Sequence, residues 1–477
     1  MSHTPPQTPN ATPGRQPLLA KPGPTRSAML AVALIALCVA LCLALLSALW
    51  LFTPTAPISI AASPSTPNTP ALVEAGRYLA TLGNCQHCHT PRGQPAYSGG
   101  RAFATPFGTV YSSNLTPSAQ GLGHWNAADF YRALHHGQAK DGRWLYPAFP
   151  FPNTTHITRA DSDALFAYLQ SLPASTQQPP PHQVRWPYNT QAALKVWRTL
   201  YFQLGPDTTA GATSASTSAA TTTPTATPLQ RGAYLVNGLG HCSACHAPRN
   251  ALGGHADMLS LHGGLMPMVS WYAPSLHNPA EGGVQTWPLA DTVALLRDGR
   301  HHSAVATGPM AEVVQHSTQH WQAADLQAVA VFLQQLPAPA STPQAGHTAA
   351  APSTPAQTTT SAQRVGERLY AKHCASCHGD DGEGQTTNGG QPAHPALAGN
   401  RAVTLASPAN LVHMVLNGGF GPSTHHHPRP FGMPPFLLVL SDTEVAAVLT
   451  YVRTAWGHQA GPVSELDVQR LRGGTPP

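Results

Sequence analysis

The pentapeptide Cys-x-x-Cys-His occurs three times, at Cys85–His89, Cys242–His246 and Cys374–His378. Nothing else in the chain limits its fold as tightly. Two thiols at that spacing can form thioethers with the two vinyl groups of one haem, and the adjacent His then stands under the iron as its proximal ligand. With 8 Cys and 26 His in 477 residues, chance supplies about 0.01 such pentapeptides. The pattern predicts three covalently bound haem c groups. They are attached through Cys85 and Cys88, Cys242 and Cys245, and Cys374 and Cys377, with His89, His246 and His378 as iron ligands.

Other uses of these cysteines fit less well. A zinc site needs a second Cys or His pair at matched spacing for each Cys-x-x-Cys. A thioredoxin-type pair needs a strand-to-helix setting, and none precedes these motifs. Cys38 and Cys42 lie in an apolar run, which leaves no disulfide framework. Haem c is attached outside the cytoplasm, so the motifs place the bulk of the chain in a bacterial periplasm.

Each motif closes a helix-like run: GRYLATLGNCQHCH from Gly76, GAYLVNGLGHCSACH from Gly232 and GERLYAKHCASCH from Gly366. Each is followed by a second helical segment ending near a glycine, then a loop. Each unit then ends in a periodic apolar helix, over 163–172, 325–336 and 443–456. Tyr168, Phe332 and Tyr451 fall on the apolar faces of these closing helices, placed to pack against the opening helix. The fold class this predicts is mainly α, with three tandem helical domains at 71–206, 229–337 and 362–460. Tracts rich in Pro, Ser, Thr and Ala at 53–70, 207–228 and 338–361 read as linkers that cannot build a core, and 461–477 reads as a tail.

The N-terminus carries a different signal. Residues 28–52 contain no charge, Pro or Gly. As a helix they would reach about 37 Å, enough to cross a hydrocarbon core of about 30 Å. Arg15, Lys21 and Arg26 precede this run, so residues 1–27 are expected in the cytoplasm and the rest outside an inner membrane. A cleaved signal peptide competes with this reading, since small residues follow at 59–63, although its apolar region is usually shorter. A net charge of +5, spread out and without a basic block, gives no reason to expect nucleic acid.

The chain resembles the tri-haem cytochrome c subunit of bacterial membrane-bound dehydrogenases. The matching stretches include ATPFGTVYSSNLTP (104–117), RGAYLVNGLGHCSACHAPRN (231–250), GPMAEVVQHSTQH (308–320) and FGMPPF (431–436). The resemblance spans roughly 71–458, nearly everything after the expected transmembrane helix, and implies class I cytochrome c folds. It also implies a subunit that is not an enzyme by itself and that passes electrons from a catalytic subunit towards ubiquinone or the respiratory chain. That family serves alcohol, gluconate, sorbitol and aldehyde-type dehydrogenases. The partner it implies is a quinoprotein, a flavoprotein or a molybdenum subunit, with the substrate left open.

An electron-transfer haem of this kind takes a Met sulfur opposite the His. By position in the repeat, Met310 (Gly-Pro-Met) and Met433 (Gly-Met-Pro) are the candidates for the second and third units. Met414 lies in an apolar helical run and reads as core, and Met258, Met266 and Met268 stand too near their haem motif. The first unit has no methionine after Cys85, and its aligned position, where the resembled family usually has Met, is Phe149. Phe cannot bind iron. The sixth ligand of haem 1 is then absent, a water, or one of His124, His135, His136 and His156. This predicts a high-spin or mixed-spin iron at lower potential.

Two further stretches call for a functional and a structural reading side by side. Val184–Leu204 carries Leu194, Trp197, Leu200, Tyr201 and Leu204 at helical spacing, which fits a surface for the catalytic subunit or membrane, or packing against a neighbouring haem domain. His301-His302 and His425–His427 lie in Gly/Pro-rich loops without convergent carboxylates, and read as solvent-facing rather than as metal sites. Beside the electron carrier stands a second function, a peroxidase- or reductase-like haem enzyme using an open haem 1. No dinucleotide fingerprint, flavin or quinone motif or carboxylate pair supports it.

Overall fold

The computed structural model describes residues 26–61, 68–206, 226–255, 257–301, 304–338, 361–386 and 392–473. Most of the linkers predicted at 207–228 and 338–361 lie outside the described residues, as do most of the N-terminal tail and His302. Two compact bodies emerge, one over 1–53 and one over 54–477.

Among the described residues of the first body the chain forms one helix, α1 (Arg26–Phe52), 27 residues long, with Leu34, Ile35, Leu41 and Phe52 exposed. Several of its side chains, at 31, 44, 47 and 48 among others, lie outside the described residues. Among the described residues no helix is long and apolar enough to cross a membrane, so a span belongs with the proposals below.

The second body holds three copies of one helical plan. In the first unit, α2 (Pro70–Leu82) leads into α3 (Cys85–His89), the hairpin β1 (Ala102–Thr105) and β2 (Gly108–Tyr111), then α4 (Ala127–His136), α5 (Phe151–Thr154) and α6 (Arg159–Gln170). A short strand β3 (Gln183–Val184) joins the hairpin edge beside β2, and α7 (Gln191–Tyr201) follows. The second unit repeats the order with α8 (Pro228–Asn237), α9 (Ser243–His246), β4 (Gly264–Met266), β5 (Trp271–Ala273), α10 (Leu289–Asp298), β6 (Arg300–His301), β7 (Ala304–Val305), α11 (Gly308–His316) and α12 (Ala323–Gln334). The third has α13 (Ser361–His373), α14 (Ala375–His378), β8 (Gln385–Thr386), β9 (Pro392–His394), α15 (Arg401–Thr404), α16 (Ala409–Asn417), β10 (Gly419–Phe420), β11 (Gly432–Met433), α17 (Asp442–Thr454) and α18 (Glu465–Arg472).

One contact defines all three copies. A Cβ on Gly76 of α2 would lie 1.9 Å from the Ala164 carbonyl oxygen of α6. On Gly232 of α8 it would lie 2.1 Å from Ala328 O of α12, and on Gly366 of α13 it would lie 2.2 Å from Ala447 O of α17. Only glycine lets each opening helix approach its closing helix this closely. The aromatic residue four positions after each alanine, Tyr168, Phe332 or Tyr451, places its Cβ 2.8 Å from the same point. The aromatic faces therefore meet the opening helices, as their periodicity predicts.

The three copies are not three separate cores. Leu79, Leu82, Ile157 and Leu165 of the first unit share one continuous apolar cluster with Leu235, Val236, Leu326 and Val329 of the second. The third unit has its own cluster around Tyr370, Val412, Leu416 and Val448. Two segments read as linker and tail are also built in. Ile58 N–H donates to Gln138 Oε1 at 2.8 Å, and Arg132 and Arg159 donate to the Ile58 and Ala61 carbonyls. At the far end, α18 buries Val468 completely in the third unit's core, and Arg472 is ion-paired with Asp442.

Candidate functional site

Each Cys-x-x-Cys-His motif folds as a short turn of helix directly after the opening helix. This places its His beside the loop that follows the β-hairpin. His89 Nδ1–H donates to Ser113 O at 2.7 Å, His246 Nδ1–H to Pro274 O at 2.7 Å and His378 Nδ1–H to Pro395 O at 2.9 Å. A bond of this kind fixes the tautomer and leaves Nε2 with its lone pair, the form in which imidazole binds iron. Burial also lowers the pKa of all three rings, which favours the neutral form.

The thiols match this geometry. All six motif cysteines are free and half-buried. Burial pushes the Cys85 and Cys242 thiols up to about 12 and Cys374 to about 11. Burial also raises Cys88, with Arg101 offsetting part of the rise and Cys245 of the second unit adding to it. The first two motif regions meet across the unit boundary, where His241 bonds the Gly83 carbonyl at 3.2 Å. Three pairs of free thiols, each followed by an imidazole held in one tautomer, form a donor set that fits haem c. Among the described residues no group of three or more His, Cys, Asp or Glu could hold a bare metal ion.

Met310 sits half-buried in the first turn of α11, and Met433 sits half-buried in β11, paired with Gly419. The place of Phe149 is equivalent to that of Met310. In the second unit, Ala306 N–H returns to the carbonyl of Gly299, the cap of α10, at 2.8 Å, and Met310 follows four residues later. In the first, Leu145 N–H returns to the carbonyl of Gly137, the cap of α4, at 2.9 Å, and Phe149 follows four residues later. The extra residue between Gly137 and Phe149 is absorbed in the turn before that bond. Of the four neighbouring histidines, His135 is buried and stacked on Tyr131 at 4.8 Å, inside the α4 packing.

A family model for cytochrome c matches residues 73–173 and 364–456. The chain is 36% identical over 416 residues to the cytochrome c subunit of the quinone alcohol dehydrogenase of Gluconacetobacter polyoxogenes, covering 84% of each chain. It belongs to the family of dehydrogenase cytochrome c subunits. Similar relatives are the gluconate 2-dehydrogenase cytochrome c subunit of Pantoea cypripedii, 35% identical over 84% of this chain and 90% of that one, and the fructose dehydrogenase cytochrome subunit of Gluconobacter japonicus, 31% identical over 86% and 85%. As a cytochrome c subunit the chain carries covalently bound haem c and transfers electrons.

Within this cytochrome the first two units are locked by a pair of matched contacts. Tyr78 of α2 donates to Asp325 Oδ2 at the start of α12 at 2.7 Å and accepts from Gln322 N–H at 3.0 Å. In reverse, Tyr234 of α8 donates to Asp161 Oδ2 at the start of α6 at 2.5 Å and accepts from Thr158 N–H at 3.2 Å. Burial raises both phenols, so they remain protonated donors. His87, inside the first motif, bonds Glu312 of α11 at 2.8 Å and stacks on His316 at 4.6 Å. The first attachment motif thus rests on the helix that carries Met310.

These contacts were missed in the sequence, though two signals point to them. Both opening helices have Tyr two residues after the glycine, whereas the third unit has Arg368 there. The carbonyl that orients each His lies two residues before a leucine, Leu115, Leu276 or Leu397. The stretch 184–204 resolves towards packing. Trp197 is buried with its indole N–H on Leu252 O at 3.1 Å, and Tyr201 OH accepts from Asn250 of the second unit at 3.0 Å. Trp186 and Leu200 stay exposed. The reading of His301 as solvent-facing needs correction: its side chain is buried, 3.1 Å from Asp291 and tilted against the Trp287 ring with centroids 4.6 Å apart. His425 and His426 are exposed, with His426 held by Asp298 at 2.7 Å.

Proposed function

We propose that this chain is a three-haem relay, anchored by α1 in the inner membrane with its haem units in the periplasm. It accepts electrons from a catalytic dehydrogenase subunit and passes them towards ubiquinone or the respiratory chain. The observation that carries the three-haem reading is the threefold recurrence of one donor set: two free thiols and an imidazole whose Nδ1–H is held by a loop carbonyl. Bound haem supplies the one-electron iron couple. The chain's residues attach it, orient the proximal imidazole and, in the second and third units, offer Met310 and Met433 as the opposite ligand. The printed names of the relatives, which are subunits of alcohol, gluconate and fructose dehydrogenases, support a catalytic partner. The uncharged run 28–52 with cationic residues before it supports the anchor and its orientation.

The test is a haem count on the intact chain with motif variants. Wild type should carry three haems per chain by the pyridine haemochrome assay. Replacing both thiols of any one motif by Ala should remove one haem and leave the other two. Two haems in the wild type would overturn the reading.

Phe149 gives the second reading, a peroxidase- or reductase-like activity at haem 1, its one specific support. Peroxide-dependent oxidation of a dye by the purified chain, abolished in Phe149→Met, would favour it. Equal background rates in both proteins would remove it.

A further inference from the structure

Between the second and third motifs the chain builds one continuous packed contact. Trp271 in β5 is buried and forms a small cluster with Met266 and Ala273. Cys245, the second thiol of its motif, packs against this cluster from one side, and Met414 of α16 packs against it from the third unit. His413, next to Met414, lies flat on the Trp271 ring, with centroids 5.2 Å apart and planes at 8°. Beyond Met414 the chain meets β10. A Cβ on Gly419 would lie 3.8 Å from Met414 Sδ, and Gly419 pairs directly with Met433.

The same contact is pinned from its edges. Asn410 of α16 accepts from Tyr272 N–H and donates to Tyr272 O, both at 2.8 Å, and His413 Nε2 bonds Ser270 O at 3.1 Å. Elsewhere on the two units Arg401 of α15 donates to Gly283 O, and His426 bonds Asp298 of α10, so the third unit is held on the second by several independent ties. The Trp271 indole N–H is buried with no hydrogen-bond partner among the described residues. Burying an unpaired N–H is unfavourable, so what this position gains from Trp is its ring and not its polar group.

We infer that Trp271 and Met414 are the electron-transfer contact between the second and third haem units. The line runs from the Cys245 thioether position through the Trp271 cluster and Met414 to Gly419 and Met433. Tunnelling weakens steeply with distance, and more steeply across a gap than through packed atoms, so the continuity of this contact governs the rate. The step moves one electron from the ferrous iron of one haem to the ferric iron of the other. No bond is made or broken and no proton moves. Trp271 and Met414 act as positioning residues that fill the space between two units, while Asn410 is only one of several ties that dock them. The inference rests on the three-haem reading.

The experiment uses the full-length, haem-loaded chain and follows intramolecular electron redistribution after a fast one-electron reduction. Trp271→Ala and Met414→Ala should each slow exchange between haems 2 and 3 several-fold. Trp271→Phe and Met414→Leu, which keep the space filled, should stay close to wild type, and so should Asn410→Ala. Haem content and the three midpoint potentials are measured on every variant. Unchanged exchange in both Ala variants, with three haems present, would overturn the contact. Slowing in Asn410→Ala equal to that in Trp271→Ala would also overturn it, because docking and not packing would then set the rate. A wild-type count below three haems would fail the underlying relay reading instead, and the two failures are told apart by that count.

Discussion

At the scale of single residues, the least conventional position is Phe149. It stands four residues after the backbone bond that returns to the helix cap, where the second unit places Met310. A phenyl ring offers iron no lone pair. In Phe149→Met one haem should change from high spin to low spin and its potential should rise, with the other two unaffected, as read by electron paramagnetic resonance of the oxidised protein. This departure was legible from the sequence, because counting from a glycine needs no tertiary information. The role of Glu312 was not legible, since its partner His87 lies 225 residues away. The bond from His87 is the main reason the Glu312 carboxylate is held below its ordinary pKa, with burial opposing it. A lowered carboxylate stabilises the fold above its ordinary range and loses that contribution as pH falls through the lowered value. In Glu312→Gln the acid limb of a stability-against-pH curve should be shallower than in wild type.

At the scale of elements, the opening and closing helices were legible because their apolar faces repeat every 3.6 residues. Their crossing depends on Gly76, Gly232 and Gly366. Gly366→Ala would drive a methyl into the Ala447 carbonyl, whose distance from the added carbon would be 2.2 Å. Overpacking of this kind costs about 1–3 kcal/mol or more, so a lower melting temperature with reduced haem retention in the third unit is expected. Wild-type stability would show that the helices can separate freely. The last helix, α18, was not legible. Its eight residues are mostly charged or polar; Val468, with Val463 just before the helix, is buried in the core, and Leu471 packs against it. Truncation after Ala460 should nevertheless destabilise the third unit by about 2–4 kcal/mol, from two buried valines at about 1.5–3 kcal/mol each less partial relaxation. Chemical denaturation followed at the third haem checks this.

At the scale of the whole molecule, the sequence divides the chain into three equal units, whereas the structure joins the first two around one core and gives the third its own. Local periodicity records which face of a helix is apolar but not which unit covers it. It therefore carries no sign that Tyr78 and Tyr234 tie each opening helix to the other unit's closing helix. The paired plan makes the first two motifs neighbours, with His241 bonded to the Gly83 carbonyl, and it sets the first motif against the helix bearing Met310. The third site joins this pair through Trp271 and Met414. The most direct test of this account is a redox titration of the purified chain, followed optically and by electron paramagnetic resonance. It should resolve three one-electron transitions, one of them high-spin and lower in potential than the other two. Two transitions, or three low-spin signals of the Met/His type, would contradict it.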